Sequence, residues 1–247
     1  AYNNAYEASS VQAFAAAGDP SLLRVAEVDY VKPEQMQSQE FGYRGKLSRT
    51  FTVDAAVYRN DFQDFINTQV VLSPLYGEVG DGGLSVLAMA NGDFETWSSY
   101  TNSPAEISSW GVSIGAQTKI FGNFDLSANY TKSKLEFEQS LYPDFRTNWN
   151  TPEHKIKAQF GNTQLFENFG FNVAWRYWSE YLWQASFGDG MVPETHVIDA
   201  QFNLTVPKWK SVIKVGATNL GGEEFFTAFG SGFIGTQYYI SWTANNF

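Results

Sequence analysis

The chain has 247 residues, 17% of them aromatic and 17% charged, with a net charge of −10, 21 glycines and no cysteine. Few charges and many aromatics and glycines favour strands and turns over helical bundles. The acidic balance argues against extended nucleic-acid binding, which needs clustered Lys and Arg. The lack of cysteine excludes disulfides and thiolate catalysis.

In chain order, the first 33 residues read as one large loop region. Within it the Ala-rich segment Glu7–Ala17 predicts a short helix ahead of Gly18-Asp19-Pro20. A period-two pattern then takes over. Phe51, Val53, Ala55 and Val57 alternate with Thr52, Asp54, Ala56 and Tyr58. Phe124, Leu126, Ala128 and Tyr130 alternate with Asp125, Ser127, Asn129 and Thr131. Ile156, Ala158 and Phe160 alternate with Lys155, Lys157, Gln159 and Gly161, and Phe171, Val173, Trp175 and Tyr177 alternate with Asn172, Ala174, Arg176 and Trp178. Ile198 to Val206 repeats the pattern. Successive strand side chains point to opposite faces, so each run has one apolar and one mainly polar face.

The runs predict nine strands, near 35–47, 50–66, 95–121, 124–138, 153–165, 170–184, 195–207, 210–227 and 235–247. Pro104 interrupts the third and demands an edge, a bulge or a break. Tight turns at 47–49, 121–123, 167–170 and 208–210 alternate with long links at 67–94, 139–152, 185–194 and 228–234. In an up-and-down antiparallel sheet, all short turns then fall at one end and all long links at the other, as in outer-membrane barrels. The 67–94 link carries Gly77, Gly80, Gly82, Gly83 and Gly92 and is expected to be mobile, with Leu84–Met89 open to a small helix or hairpin. No stretch approaches the ~20 apolar residues of a membrane-spanning helix. Mean hydropathy is −0.29, but barrel strands escape such averages because lipid-facing and lumen-facing residues alternate.

Chemistry-bearing residues are sparse. His154 and His196 each follow a Pro-Glu pair, without ligand-like spacing for a metal. Asp54, Asp125 and Asp199 fall on polar faces of separate strands, which guarantees no carboxylate pair; lining a hydrated lumen or contacting a plug suits them better. No G-x-S-x-G elbow and no nucleotide-binding fingerprint occurs, so no enzyme and no cofactor is expected. Tyr43, Trp110, Tyr130, Tyr177, Trp183 and Trp209 sit near strand ends and are candidates for interfacial girdles.

Six phrases, in order, resemble the C-terminal barrel region of TonB-dependent outer-membrane receptors: KPEQMQSQEFGYRG (32–45), FTVDAAVYRNDFQDFI (51–66), SWGVSI (109–114), TPEHKIKAQF (151–160), VGATNLGGEEFF (215–226) and the aromatic end GTQYYISWTANNF. The resemblance implies an all-β, transmembrane antiparallel barrel, with residues 1–33 an extracellular loop region and 34–247 the C-terminal part of a barrel of about 22 strands around a plug. It implies a receptor that imports a scarce ligand (an iron chelate, vitamin, glycan or peptide), driven by the TonB complex through the plug. Its partners would be outer-membrane lipid, about 13 preceding strands that close the barrel, the plug domain and, in some members, a surface lipoprotein. Ligand contacts are expected in the links 67–94, 139–152, 185–194 and 228–234. Tyr239, Trp242 and Phe247 are expected to form the terminal assembly signal. Tyr238, Ile240, Trp242 and Ala244 share a phase that Phe247 leaves, which a one-residue bulge near Asn245-Asn246 would restore. Two alternatives are a self-contained small pore or adhesin barrel, disfavoured by an odd strand count, and a soluble β-rich binding module.

Overall fold

The computed structural model describes residues 4–244. The chain starts with β1 (Tyr6–Glu7) and helix α1 (Ala8–Ala17), which Gly18 ends in a left-handed conformation at φ 70°. Next come β2 (Gln35–Lys46), β3 (Thr52–Gln63), β4 (Ile66–Pro74), helix α2 (Leu84–Asn91), β5 (Phe94–Asn102), β6 (Ile107–Ile120) and β7 (Phe124–Glu136). The short β8 (Phe145–Arg146) precedes β9 (His154–Phe166), β10 (Phe169–Trp178), β11 (Tyr181–Ala185), β12 (Gly188–Val192), β13 (Thr195–Val206), β14 (Ser211–Thr218) and β15 (Gln237–Ala244).

Nine of these form one antiparallel sheet in the order β15-β14-β13-β10-β9-β7-β6-β3-β2. This is the expected meander, with β2 and β15 as open edges. Tight turns join β2 to β3, β6 to β7, β9 to β10 and β13 to β14. In the β6–β7 turn, Phe121 and Gly122 both take positive φ (45° and 88°), which glycine adopts without strain. Because neighbours are antiparallel, these turns share one end of the sheet, and the links after β3, β7, β10 and β14 share the other.

Residues directly opposite each other in an antiparallel ladder share a face, so the register defines both faces. One row runs Tyr43, Ala55, Ile114, Tyr130, Ile156, Tyr177, His196. The same face holds Val53, Phe124, Leu126, Phe171, Val173, Phe202 and Leu204; Phe51 lies in the turn just before β3. The next row, on the opposite face, runs Arg44, Asp54, Gly115, Asn129, Lys157, Arg176, Val197. On the apolar face Phe124 stacks on Phe160 at 5.4 Å, Phe160 meets Phe171 edge-on, and Phe169 stacks on Phe202 at 5.8 Å. The face as a whole stays open outward: Phe202 is 51% exposed, Trp242 67% and Ile240 76%. On the polar face Tyr58 lies across Gly111 and Tyr239 across Gly216. A Cβ on either glycine would approach the phenol ring to 2.4 Å, so glycine is required beneath each ring.

The protein's apolar cores lie outside this sheet. Strand β4 is central in a second sheet, pairing with β1, β5 and β8. On it Leu72 joins Tyr6, Val11, Phe14 and Met89 in one cluster, and Val71 joins Ala5, Ala26 and Val28 in another. These residues form a cap over the long-link end.

Several expected elements need correction. The run 95–121 is two strands, because Pro104 lacks a ladder donor and the chain breaks there between β5 and β6. The run 170–184 ends at Trp178, and β11 pairs instead with β12 as a separate hairpin. The run 210–227 ends at Thr218. The 67–94 link holds strand β4, where the sequence reads as loop, and helix α2 over the segment Leu84–Met89 that is open to a helix or hairpin; Gly83 and Gly92 flank α2, Gly92 at φ 77°.

Candidate functional site

The links and the N-terminal segment join at one end of the wall through a chain of hydrogen bonds. From α1, Ser9 donates its backbone N–H and its hydroxyl to the buried Asp144 carboxylate, at 2.6 and 2.7 Å. The Asp144 carbonyl accepts from the Val70 N–H on β4, at 2.8 Å. Two residues on, Arg146 pairs with Asp189 of the β11–β12 hairpin at 3.0 Å. Asn150 and Gln184 exchange two bonds: the Gln184 N–H donates to Asn150 Oδ1 at 2.7 Å, and Asn150 Nδ2 donates to the Gln184 carbonyl at 2.9 Å. The Tyr181 hydroxyl reaches the Thr227 carbonyl at 2.7 Å. The Phe229 ring covers Gly190 so closely that a Cβ there would meet it at 2.3 Å. All four long links and residues 4–33 are thus one connected body, held by polar bonds and a core of its own.

Burial pushes the Tyr181 phenol up from its ordinary value, so the hydroxyl stays a donor to Thr227. Asp81, just before α2, is held below the usual carboxylate range by the N–H groups of Gly83 and Glu78 and the Ser85 hydroxyl. Those bonds are 3.0, 3.1 and 3.1 Å long, and Ser85 continues to the Tyr6 hydroxyl at 2.9 Å.

Three cavities open beneath the cap. The first, about 340 Å³, lies between the polar face of β9–β10 and the links, lined by Lys155, Lys157, Arg176, Trp178, Asn150 and Trp183. The second, about 300 Å³, includes Ser133, Trp149, Glu153 and Gln184. The third, about 320 Å³, runs between Ser9, Val70, Arg146 and Asp189.

The residues singled out by sequence fall as follows. Asp54, Asp125 and Asp199 lie on the polar face, each with a cation: Arg44 at 2.5 Å, Lys119 at 2.7 Å and Arg176 at 2.9 Å. His154 and His196 are on the apolar face, near the long-link end, on strands separated by β10. His154 meets the Tyr130 hydroxyl at 2.8 Å, and His196 stacks on Trp175. Among the described residues no cluster of three or more His, Asp or Glu is arranged to hold a metal. Tyr43, Trp110, Tyr130 and Tyr177 share the apolar face. Trp209 sits exposed in a tight turn, whereas Trp183 belongs to the β11–β12 hairpin and is corrected out of the wall. Tyr239 and Trp242 lie on opposite faces: Tyr239 donates to Gln201 Oε1 at 2.9 Å, and Trp242 pairs with Ile213 on the apolar face. Phe247 and the Asn245-Asn246 bulge lie outside the described residues. The quartet Lys155, Lys157, Arg176 and Trp178 carries no site signal in the sequence, although alternation places each on the polar phase of its strand.

A long meander with one lipid-like face, one polar face and a loop-built cap at a single end is the wall of a membrane β-barrel, and its open edges make it part of a larger one. The family model of the TonB dependent receptor-like β-barrel matches residues 1–220. The chain belongs to this family of outer-membrane receptors and transporters. Among solved structures it is similar to the copper transporter OprC (16% identity, TM-score 0.59, 87% of this chain and 31% of that one). It is similar also to the FrpB iron transporter of Neisseria meningitidis (13%, TM-score 0.59, 87% and 31%) and to the siderophore receptor PirA of Acinetobacter baumannii (13%, TM-score 0.57, 86% and 32%). At such identities these likenesses show the fold. The chain spans about a third of the length of each of these proteins. No curated protein matches it.

Proposed function

We propose that the chain forms the C-terminal wall and extracellular cap of a bacterial outer-membrane, TonB-dependent receptor that binds and imports a scarce ligand (an iron chelate, vitamin, glycan or peptide) and catalyses no reaction. The observation that carries this reading is the pairing of a two-faced, open sheet with a cap built from all its long links. In this reading residues 4–33 belong to the extracellular region and the wall crosses the membrane from residue 34 onward. Apolar side chains such as Phe202 and Leu204 meet lipid, and the polar face meets a hydrated lumen and a plug. Unpaired N–H and C=O groups at the β2 and β15 edges cannot be left in hydrocarbon, where each costs several kcal/mol, so both edges pair with further barrel strands. The TonB complex acts through the plug. The four long links supply ligand contacts. The closing segment with Tyr239, Trp242 and Phe247 is the assembly signal; its support is β15, paired along its whole length with β14. Transport neighbours in the same fold favour import over a small pore or adhesin.

These 247 residues hold no cysteine, so a thiol introduced among them is the only one in this segment and, compared with the unsubstituted receptor, tests sidedness directly. In intact cells producing the full-length receptor, a membrane-impermeant maleimide labels Ser140→Cys in the cap and leaves Asn123→Cys in a tight turn unlabelled until the envelope is permeabilised. Equal labelling of both in intact cells, or the reverse pattern, overturns the assignment.

A further inference from the structure

We propose that Lys155, Lys157 and Arg176 form an anion subsite on the ligand's path, one that takes a carboxylate- or phosphate-bearing small ligand; this rests on the import reading. The register places Lys157 directly opposite Arg176, and Lys155 directly opposite Trp178, on the polar face of β9 and β10. Like charges directly opposite one another destabilise a ladder. In a chain of net charge −10, three cations thus share one patch of the polar face.

Their neighbours answer only one of the three. Both Asp199 carboxylate oxygens accept from the same Arg176 nitrogen, Nη2, at 2.9 and 3.2 Å, and Asp199 also accepts the Asn219 N–H at 3.1 Å. Among the described residues Lys155 and Lys157 make no ion pair, whereas Lys132 and Lys134 on the apolar face have Glu153 and Glu136. The Arg176 Nε–H and the Trp178 indole N–H are buried without an acceptor, and a buried donor left unpaired is costly. The same quartet lines the cavity of about 340 Å³ under the links, with Asn150 and Trp183 opposite. That volume is of the size that encloses small ligands. A ligand with two or more anionic oxygens would bridge Lys155 and Lys157 and reach the open edge of the Arg176 guanidinium. Its position beside β11 and the 139–152 link, at the long-link end, favours an arriving ligand over a plug carboxylate as the occupant.

The test uses the purified full-length receptor, plug included, titrated by calorimetry with citrate, inorganic pyrophosphate and uncharged maltotriose. The expected result is saturable binding of one or both anions, none of maltotriose, and at least tenfold weaker anion binding in the K155Q/K157Q double variant. Binding by citrate alone assigns a carboxylate ligand, and by pyrophosphate alone a phosphate ligand. Heat-modifiable gel mobility verifies that the variant is folded, and Lys119→Gln, near the opposite end of the polar face, leaves binding unchanged. No saturable anion binding, equal binding by the double variant, or binding that appears only once the plug is deleted overturns the proposal; the last assigns the quartet to a plug carboxylate. Anion binding that persists while accumulation of the ligand in cells is indifferent to TonB would instead overturn the import reading and leave the subsite standing.

Discussion

The wall and the cap are stabilised in opposite ways. The wall holds no core cluster of its own: β15 is exposed along its length, and Phe202 and Leu204 of β13 with Ile240 and Trp242 of β15 face outward, while Ile107 and Val197, near the long-link end, are buried. Their order comes from continuous ladders and from the solvent on each side, lipid against the apolar face and water or plug against the polar one. The cap buries Phe14, Leu72 and Met89 to within 10% of full enclosure and ties its links together with hydrogen bonds, as a small water-soluble domain does. One chain thus carries two folding codes, and a side chain's worth depends on which code it obeys.

Phe14→Ala is the substitution with the largest expected effect. Truncating a fully packed Phe costs about 3–5 kcal/mol, and here the whole loss falls on the α1–β4–α2 packing. Hydrogen exchange on the refolded receptor should show fast exchange across Ala8–Ala17 and Leu84–Asn91 with the β9–β10 ladder unchanged. If the ladder amides loosen equally, wall and cap are one cooperative unit and the contrast fails. Next in size is Phe202→Arg on the apolar face, where a cation at midplane depth costs about 2–4 kcal/mol. Asn203→Arg, one residue along and on the polar face, should be tolerated in the same lipid-refolding titration. Equal cost for the two changes would remove the distinction between faces.

The two codes also explain what the sequence could and could not reveal. Every wall strand meets two different solvents, so its alternation is written in the residues, and each of the nine wall strands matches one of the nine runs, β9 and β10 passing theirs by one residue at the turn between them. Strand β4 is covered on both sides: Asn67, Thr68, Gln69, Val71 and Leu72 are all buried. With no solvent face there is no period of two, and its Ile-Asn-Thr-Gln-Val-Val sequence reads as a link. The β11–β12 hairpin is too short, at five residues a strand and with Gly188 and Gly190 within it, to show a pattern. The Lys155–Lys157–Arg176 grouping was half legible. Alternation put each residue on a polar phase, but only the β9–β10 register, with its irregularity between Phe169 and Phe171, sets Lys157 against Arg176. Pro104 did signal a break, and joining the two runs across it was the error.

The smallest expected effect sharpens the comparison from the cap side. Asp81 is outside the wall and open to solvent, yet it organises the start of α2 through the Gly83 and Glu78 N–H groups and the buried Ser85 hydroxyl. These donors favour the ionised carboxylate, so its pKa in the folded cap lies below the ordinary 3.8. A carboxylate with a depressed folded pKa contributes stability that is present above its unfolded pKa and is lost as pH falls through the folded one. The window therefore lies below pH 3.8. Exposure and salt screening keep the contribution small. Protease nicking within residues 77–92 should rise as the receptor is taken from pH 5 to pH 3, with the wall still resistant. Asp81→Asn, which cannot ionise, should show raised nicking at both values and lose the part of the pH dependence that belongs to this group. An unchanged pH profile in Asp81→Asn would mean that another group governs the acid response of the cap, and the contrast between an acid-sensitive α2 start and a resistant wall would no longer rest on Asp81.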